Sequence, residues 1–194
     1  MNSVRGAVSA IFRDLNSMYE IDRINRKFRF IVTPYLLVKS MIYFKGFRAV
    51  VTYRFKNYAY LAKNEPILQL LRLIDSLING IDISYRAEIG YGLSMPHPHC
   101  IVLGDAIIGN DVIIYQGVTL GTSWDKEKGG RRYPIIGDNV KISAGAKIIG
   151  PVSIGKNSII GANAVVVSDI PEDSIAVGIP AKVTGAVHKR TAIR

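Results

Sequence analysis

A chain of 194 residues, 48% of them apolar, can bury a core sufficient for one domain or one and a half, which excludes a disordered polymer. The formal charge of +10 is uneven: residues 1–80 carry 13 Lys or Arg against 5 Asp or Glu, and residues 81–194 carry 12 against 10. The only cysteine, Cys100, excludes an intrachain disulfide framework and points to a reducing, cytoplasmic compartment.

The first residues, Met1 to Asp14, place Arg5 and Arg13 around a short, weakly apolar stretch, without the apolar core and cleavage site of a signal peptide. The most apolar window, Phe30 to Phe44, is interrupted by Pro34 and Lys39 and is too short to cross a bilayer. Apolar residues at helical spacing over Met41 to Leu61 and Glu65 to Asn79 predict helices, with Glu65-Pro66 as the start of the second. Residues 1–80 thus form a helical N-terminal region. Its basic charge suits an anionic membrane surface, an acidic polymer or nucleic acid equally well, and also suits a plain solvated face.

From residue 81 the pattern changes to a period of six, with a small or apolar partner four places after each inward residue. Ile136, Ile142, Ile148, Ile154, Ile160 and Val166 form the inward series, with Val140, Ala146, Val152, Ser158 and Ala164 between them. Backwards, Leu120, Ile114, Ile108 and Val102 continue it, and after a one-residue slip so do Met95, Ile89 and Ile83. Six residues per face and three faces per turn give a parallel β-helix with coils of about 18 residues. This domain covers 81–185, and residues 186–194 form a tail. The polar segment 122–134 breaks the period and must leave the coil as a loop, the kind of protrusion that often carries function. A solenoid needs its first coil covered, and the N-terminal helices are the available cap.

The register separates the two histidines of Pro96-His97-Pro98-His99-Cys100. His97 points outward and is the reactive candidate; His99 falls at an inward position and reads as structural. A zinc site at His97, His99 and Cys100 lacks convergent further ligands, since His188 lies in the tail, so no metal is expected.

The segments Tyr43-Phe44-Lys45-Gly46-Phe47-Arg48-Ala49, Asp82-Ile83, Gly92-Leu93-Ser94-Met95-Pro96-His97, Gly117-Val118-Thr119-Leu120-Gly121 and Val177-Gly178-Ile179-Pro180-Ala181-Lys182 resemble the serine O-acetyltransferase branch of the hexapeptide-repeat acyltransferases. The resemblance implies a left-handed β-helix, against the usual right-handed crossover, and a homotrimer or dimer of trimers with acetyl-CoA as cosubstrate between neighbouring helices. It implies His97 as general base, Asp82 as the carboxylate orienting it, Gly121, Ala144 and Ala162 beside the pantetheine arm, and Arg132 of the loop facing the acceptor. An alcohol attacking a thioester needs such a base, and no covalent enzyme intermediate.

Two acceptor positions depart from the serine enzymes, which carry Asp before the base and His after the loop arginine. Pro96 and Tyr133 stand there, and the N-terminal Asp-Pro pair is at best Asp22-Arg23. An ammonium group thus loses an anionic partner, at a cost when desolvated. Relatives with a Pro-His-Pro motif resemble polysaccharide O-acetyltransferases. The first expectation is therefore a sugar hydroxyl of a surface polysaccharide or its precursor, taken at the inner membrane face by a cytoplasmic enzyme. Serine is the alternative acceptor, and a non-enzymatic trimeric scaffold the alternative of another class. Nucleic acid is not an expected partner, because no aromatic residues interleave the basic ones.

Overall fold

A computed structural model describes residues 4–19, 26–125 and 127–187. Four helices come first: α1 (Val4–Tyr19), α2 (Arg26–Tyr43), α3 (Lys45–Leu61) and α4 (Glu65–Ile78). The helical pattern read through Met41 to Leu61 is two helices, broken at Phe44, whose φ of −109° and ψ of 91° are extended. The start of α4 is as expected. Asn64 accepts a hydrogen bond from the Ile67 amide at 3.2 Å, and a proline in the first turn removes an N–H that would lack a partner there. Among the described residues no helix is long and apolar enough to cross a membrane.

The remainder is a left-handed parallel β-helix with three faces. The first face stacks β1 (Asp82–Ile83), β3 (Val102–Leu103), β6 (Thr119–Gly121), β9 (Lys147–Ile149) and β12 (Val165–Val166). The second stacks β2 (Glu88–Ile89), β4 (Ile107–Ile108), β7 (Ile135–Ile136) and β10 (Ser153–Ile154). The third stacks β5 (Ile113–Ile114), β8 (Lys141–Ile142), β11 (Ile159–Ile160) and β13 (Ser174–Gly178), closed by antiparallel β14 (Ala181–Ala186). The inward series from Ile136 to Val166 is buried in one continuous core. Each such isoleucine contributes about 1.5–3 kcal/mol relative to exposure.

The register departs from expectation between the first coil and the second. Val102 is 43% exposed and Leu103, at 1%, is the inward residue. Leu103 pairs with Ile83 on one side and with Leu120 on the other. The corner between Met95 and Leu103 holds two residues more than the period of six, and the step from Leu103 to Ile108 holds one fewer. A single net slip therefore hides two opposite irregularities. The extra residues fall in Pro96–Cys100, so Ile101 takes the inward place assigned to His99, and His99 is exposed.

Hydrogen-bond direction explains how the helices cap the solenoid. The backbone groups of a coil point alternately to the coils after and before it, as in Ser84 N–H to Leu103 O and Gly90 N–H to Ile108 O in the first sense and Asp111 N–H back to Tyr91 O in the second. The first coil's carbonyls consequently face no preceding coil, and buried acceptors of this kind need donors. Side chains of α3 supply them. Lys56 donates to Ile83 O (2.9 Å), Asn57 to Tyr85 O (2.9 Å), Tyr53 to Ala87 O (2.7 Å), and Arg54 to Ile89 O (2.6 Å) and Gly90 O. The buried cations are balanced, Arg54 by Asp14 of α1 and Lys56 by Asp75 of α4. Two charges of the basic half are thus internal cap contacts.

Candidate active site

The extended corner Pro96–Cys100 carries His97 into solvent, on one wall of a cleft of about 580 Å³. The cleft lies between this corner, α1 and the start of α3. Gly46 explains the approach: a β-carbon there would collide with the Met95 carbonyl, so only glycine lets α3 start against the residue preceding Pro96-His97. Lys45, Ser17, Asp14 and Asp111 line the same cleft. The His97 ring faces Tyr115, with centroids 6.4 Å apart, and Lys141 Nζ sits 5.3 Å from the Tyr115 centroid.

Asp14 is buried, accepts two hydrogen bonds from Arg54 (3.0 and 3.1 Å) and one from the Gly92 amide (2.8 Å). Burial pushes its carboxyl above the usual carboxylate value, Arg54 and Gly92 oppose that, and the nearby Asp111 charge adds to the rise. Asp111, on an exposed corner, accepts the Ser17 hydroxyl at 2.7 Å.

The other expected residues are distributed around the prism. One edge is a column of corners: Gly117 N–H donates to His99 O, Gly145 N–H to Gln116 O and Asn163 N–H to Ala144 O. His97, Ala144 and Ala162 therefore share one edge. Gly121 ends β6 at the opposite side of the first face, where the Gly150 amide donates to its carbonyl. The loop 122–134 begins there and folds back: Lys128 pairs with Asp169 at 2.9 Å, and Arg131 donates to Pro151 O. Arg132 meets Glu127 of its own loop at 3.4 Å, and the half-buried Tyr133 ring lies where a β-carbon on Gly104 would stand.

Not all of these residues converge in one protomer. Asp82 is exposed on β1 and lines a separate depression with Lys56, Asp75 and Cys100. Neither it nor Arg132 lines the His97 cleft, among the described residues. Asp22-Arg23 and His188 lie outside the described residues. Among those described, no group of three or more His, Cys, Asp or Glu is placed to hold a metal ion. Asp14, Ser17, Lys45 and Asp111 were missed by sequence reasoning. Only the Lys45-Gly46-Phe47 segment carried a signal.

A three-faced left-handed coil with a histidine at its corner and a loop leaving one edge defines a hexapeptide-repeat transferase, and the family described as bacterial transferase hexapeptide (six repeats) matches residues 133–168. More narrowly, the chain belongs to the serine acetyltransferase family. It is 41% identical over 143 residues to a serine acetyltransferase of Helicobacter pylori, covering 73% of this chain and 82% of that one. A serine acetyltransferase of Synechococcus elongatus is 38% identical over 147 residues, 75% of this chain and 59% of its own length. The crystal structure of Neisseria gonorrhoeae serine acetyltransferase superposes with a TM-score of 0.79 at 35% identity, covering 98% of this chain and 71% of that one. The chain spans roughly half to three fifths of the length of several of these relatives (59%, 53% and 62%).

These relatives overturn the expectation of a sugar acceptor and of a role in polysaccharide synthesis. That expectation rested on Pro96 removing the anionic partner of an amino acid, yet the cleft beside His97 is lined by two carboxylates, Asp14 and Asp111. Both come from outside the Pro96–Cys100 corner, one from α1 and one from the following coil, so the motif alone misjudged the charge.

Proposed function

We propose that this chain is a serine O-acetyltransferase, moving the acetyl group of acetyl-CoA to the hydroxyl of L-serine. The observation that carries this reading is the set of serine acetyltransferases aligned at 35–41% identity, together with an exposed His97 in a cleft of mixed charge. His97 takes the hydroxyl proton as the oxygen attacks the thioester carbonyl carbon. The tetrahedral oxyanion collapses, the C–S bond breaks, and the imidazolium returns the proton to the departing thiolate. Backbone N–H groups near Gly121 or Ala144 serve the oxyanion.

Asp82 is assigned the orienting carboxylate, as the family resemblance implies. Coenzyme A follows the small corners at Ala144 and Ala162 and the end of β6 at Gly121, where short side chains permit close approach. That a related serine acetyltransferase was solved as a complex with CoA supports the choice of cosubstrate. The protein works as a homotrimer or dimer of trimers. A neighbouring protomer then brings Arg132 to the acceptor, with Tyr133 and Pro96 shaping the pocket. Association with the inner membrane face was expected for a surface-polysaccharide acceptor, and an amino-acid acceptor does not call for it. The test is a direct product assay: acetyl-CoA with L-serine should yield O-acetylserine by mass spectrometry, whereas turnover of glycans with L-serine untouched contradicts the reading.

A further inference from the structure

We propose that Tyr115 is a positioning residue for the base: its ring fixes the plane in which the His97 imidazole meets the acceptor hydroxyl, and Lys141 of the following coil steadies that ring. This rests on the base role given to His97 above. The backbone under His97 is already set. Proline on either side restricts it, the His99 amide donates to His97 O at 2.8 Å, and the Gly117 amide ties the corner to the next coil through His99 O at 2.9 Å. The ring needs its own restraint, because the torsion that turns an imidazole about its Cβ–Cγ bond is broad. A carboxylate bonded to one nitrogen leaves the ring plane free to pivot about that bond. Among the described residues no hydrogen bond reaches the exposed His97 imidazole, and its ring contact is with Tyr115, centroids 6.4 Å apart and planes inclined at 42°. That separation falls within the range in which aromatic rings attract.

The register of the coils places this contact. Ser94 and Ile113 form a parallel bridge, and the Ile114 amide donates to Ser94 O at 2.9 Å. Two residues beyond the bridge, Tyr115 comes level with Pro96 and beside His97. Alternation along the strand sends Ile114 into the core and leaves Tyr115 half-buried on the outer side. From the other direction, the Tyr115 amide donates to Ile142 O at 3.0 Å, and Lys141, paired with Ile113, brings its Nζ to 5.3 Å from the Tyr115 centroid. A cation at that distance is attracted by the ring. His97, Tyr115 and Lys141 thus come from three successive coils, with the tyrosine held between the other two. Among the described residues nothing bonds the Tyr115 hydroxyl, so the ring itself carries the role.

The experiment measures steady-state kinetics with L-serine and acetyl-CoA for the wild-type chain, Tyr115→Leu, Tyr115→Phe and Lys141→Met, with folding checked by circular dichroism and thermal melts. Tyr115→Leu fills the corner without a ring. Its kcat and kcat/KM should fall together by about 3–10-fold, the range for one aromatic pair, with the KM for each substrate within about twofold. Tyr115→Phe keeps the ring and should stay within about twofold of wild type throughout. Lys141→Met should lower kcat by about twofold in the wild type and have no further effect in Tyr115→Leu, since it acts through that ring. A wild-type kcat in Tyr115→Leu overturns the proposal, as does a loss carried by KM, which marks substrate binding, or a Tyr115→Phe as impaired as Tyr115→Leu, which marks the hydroxyl. A Lys141→Met effect that is absent, or equal in both backgrounds, overturns the part given to Lys141. A wild type that leaves L-serine untouched overturns the serine reading instead, so the two failures are distinguishable.

Discussion

In the coil, one contact is repeated: an isoleucine or valine points inward every six residues, and neighbouring coils pair through backbone amides in register. The cap is the opposite. Beside its apolar packing it makes a set of polar contacts, each of which occurs once: Arg54 with Asp14 and two carbonyls, Lys56 with Asp75 and Ile83 O, Tyr53 with Ala87 O, Asn57 with Tyr85 O. Repetition spreads stability over many similar terms, so trimming one methyl group costs little. A cap made of single buried donors concentrates it, because a lost partner leaves a charge or a carbonyl unsatisfied. The cleft at His97 lies where the two meet and depends on both.

That contrast can be broken by experiment. Arg54→Met strips the partner from buried Asp14 and should cost about 3–5 kcal/mol, while Ile142→Val in the middle of the coil should cost about 0.5–1.5 kcal/mol. Urea melts give the totals, and hydrogen exchange locates them. Amides of the first coil, Asp82 to Gly90, should lose protection in Arg54→Met, with those around Ile142 and Ile160 retained. Uniform loss in both variants would show that cap and coil are one cooperative unit with no distinct weak point.

A smaller effect belongs to alkaline pH. Burial pushes the Tyr53 hydroxyl up to about 12, against an ordinary value near 10. The folded value exceeds the unfolded one, so the contribution is fully present below about pH 10 and is lost as pH rises through 12. The stability advantage of wild type over Tyr53→Phe should therefore shrink by about 2–3 kcal/mol across that window. Parallel pH profiles for the two proteins contradict the buried donor role of Tyr53.

The same contrast explains what was legible in the sequence. The run from Ile136 to Val166 could be placed residue by residue, because each position is checked by its neighbours in the repeat. The Pro96–Cys100 corner could not. Its two extra residues are offset by one missing residue before Ile108, so a single slip fitted the sequence while placing Val102 and His99 wrongly. His97 was correctly read as exposed. The cap was legible as helices and as a cover, but nothing local shows that Tyr53, Arg54, Lys56 and Asn57 face carbonyls rather than water. Asp111 sits on a polar corner much like Asp138-Asn139, and only the arrival of α1 through Ser17 sets it apart. The acceptor was misjudged for this reason: charge in a cleft is a sum over elements distant in sequence.

The most direct test is L-serine-dependent release of CoA thiol by the purified chain and its His97→Ala variant, with folding of both confirmed by circular dichroism. Wild type should turn over L-serine, and the variant should lose about 10²–10⁴-fold in kcat/KM while keeping its fold, the usual contribution of a positioned general base. A His97→Ala variant that acetylates L-serine at nearly the wild-type rate would contradict the account.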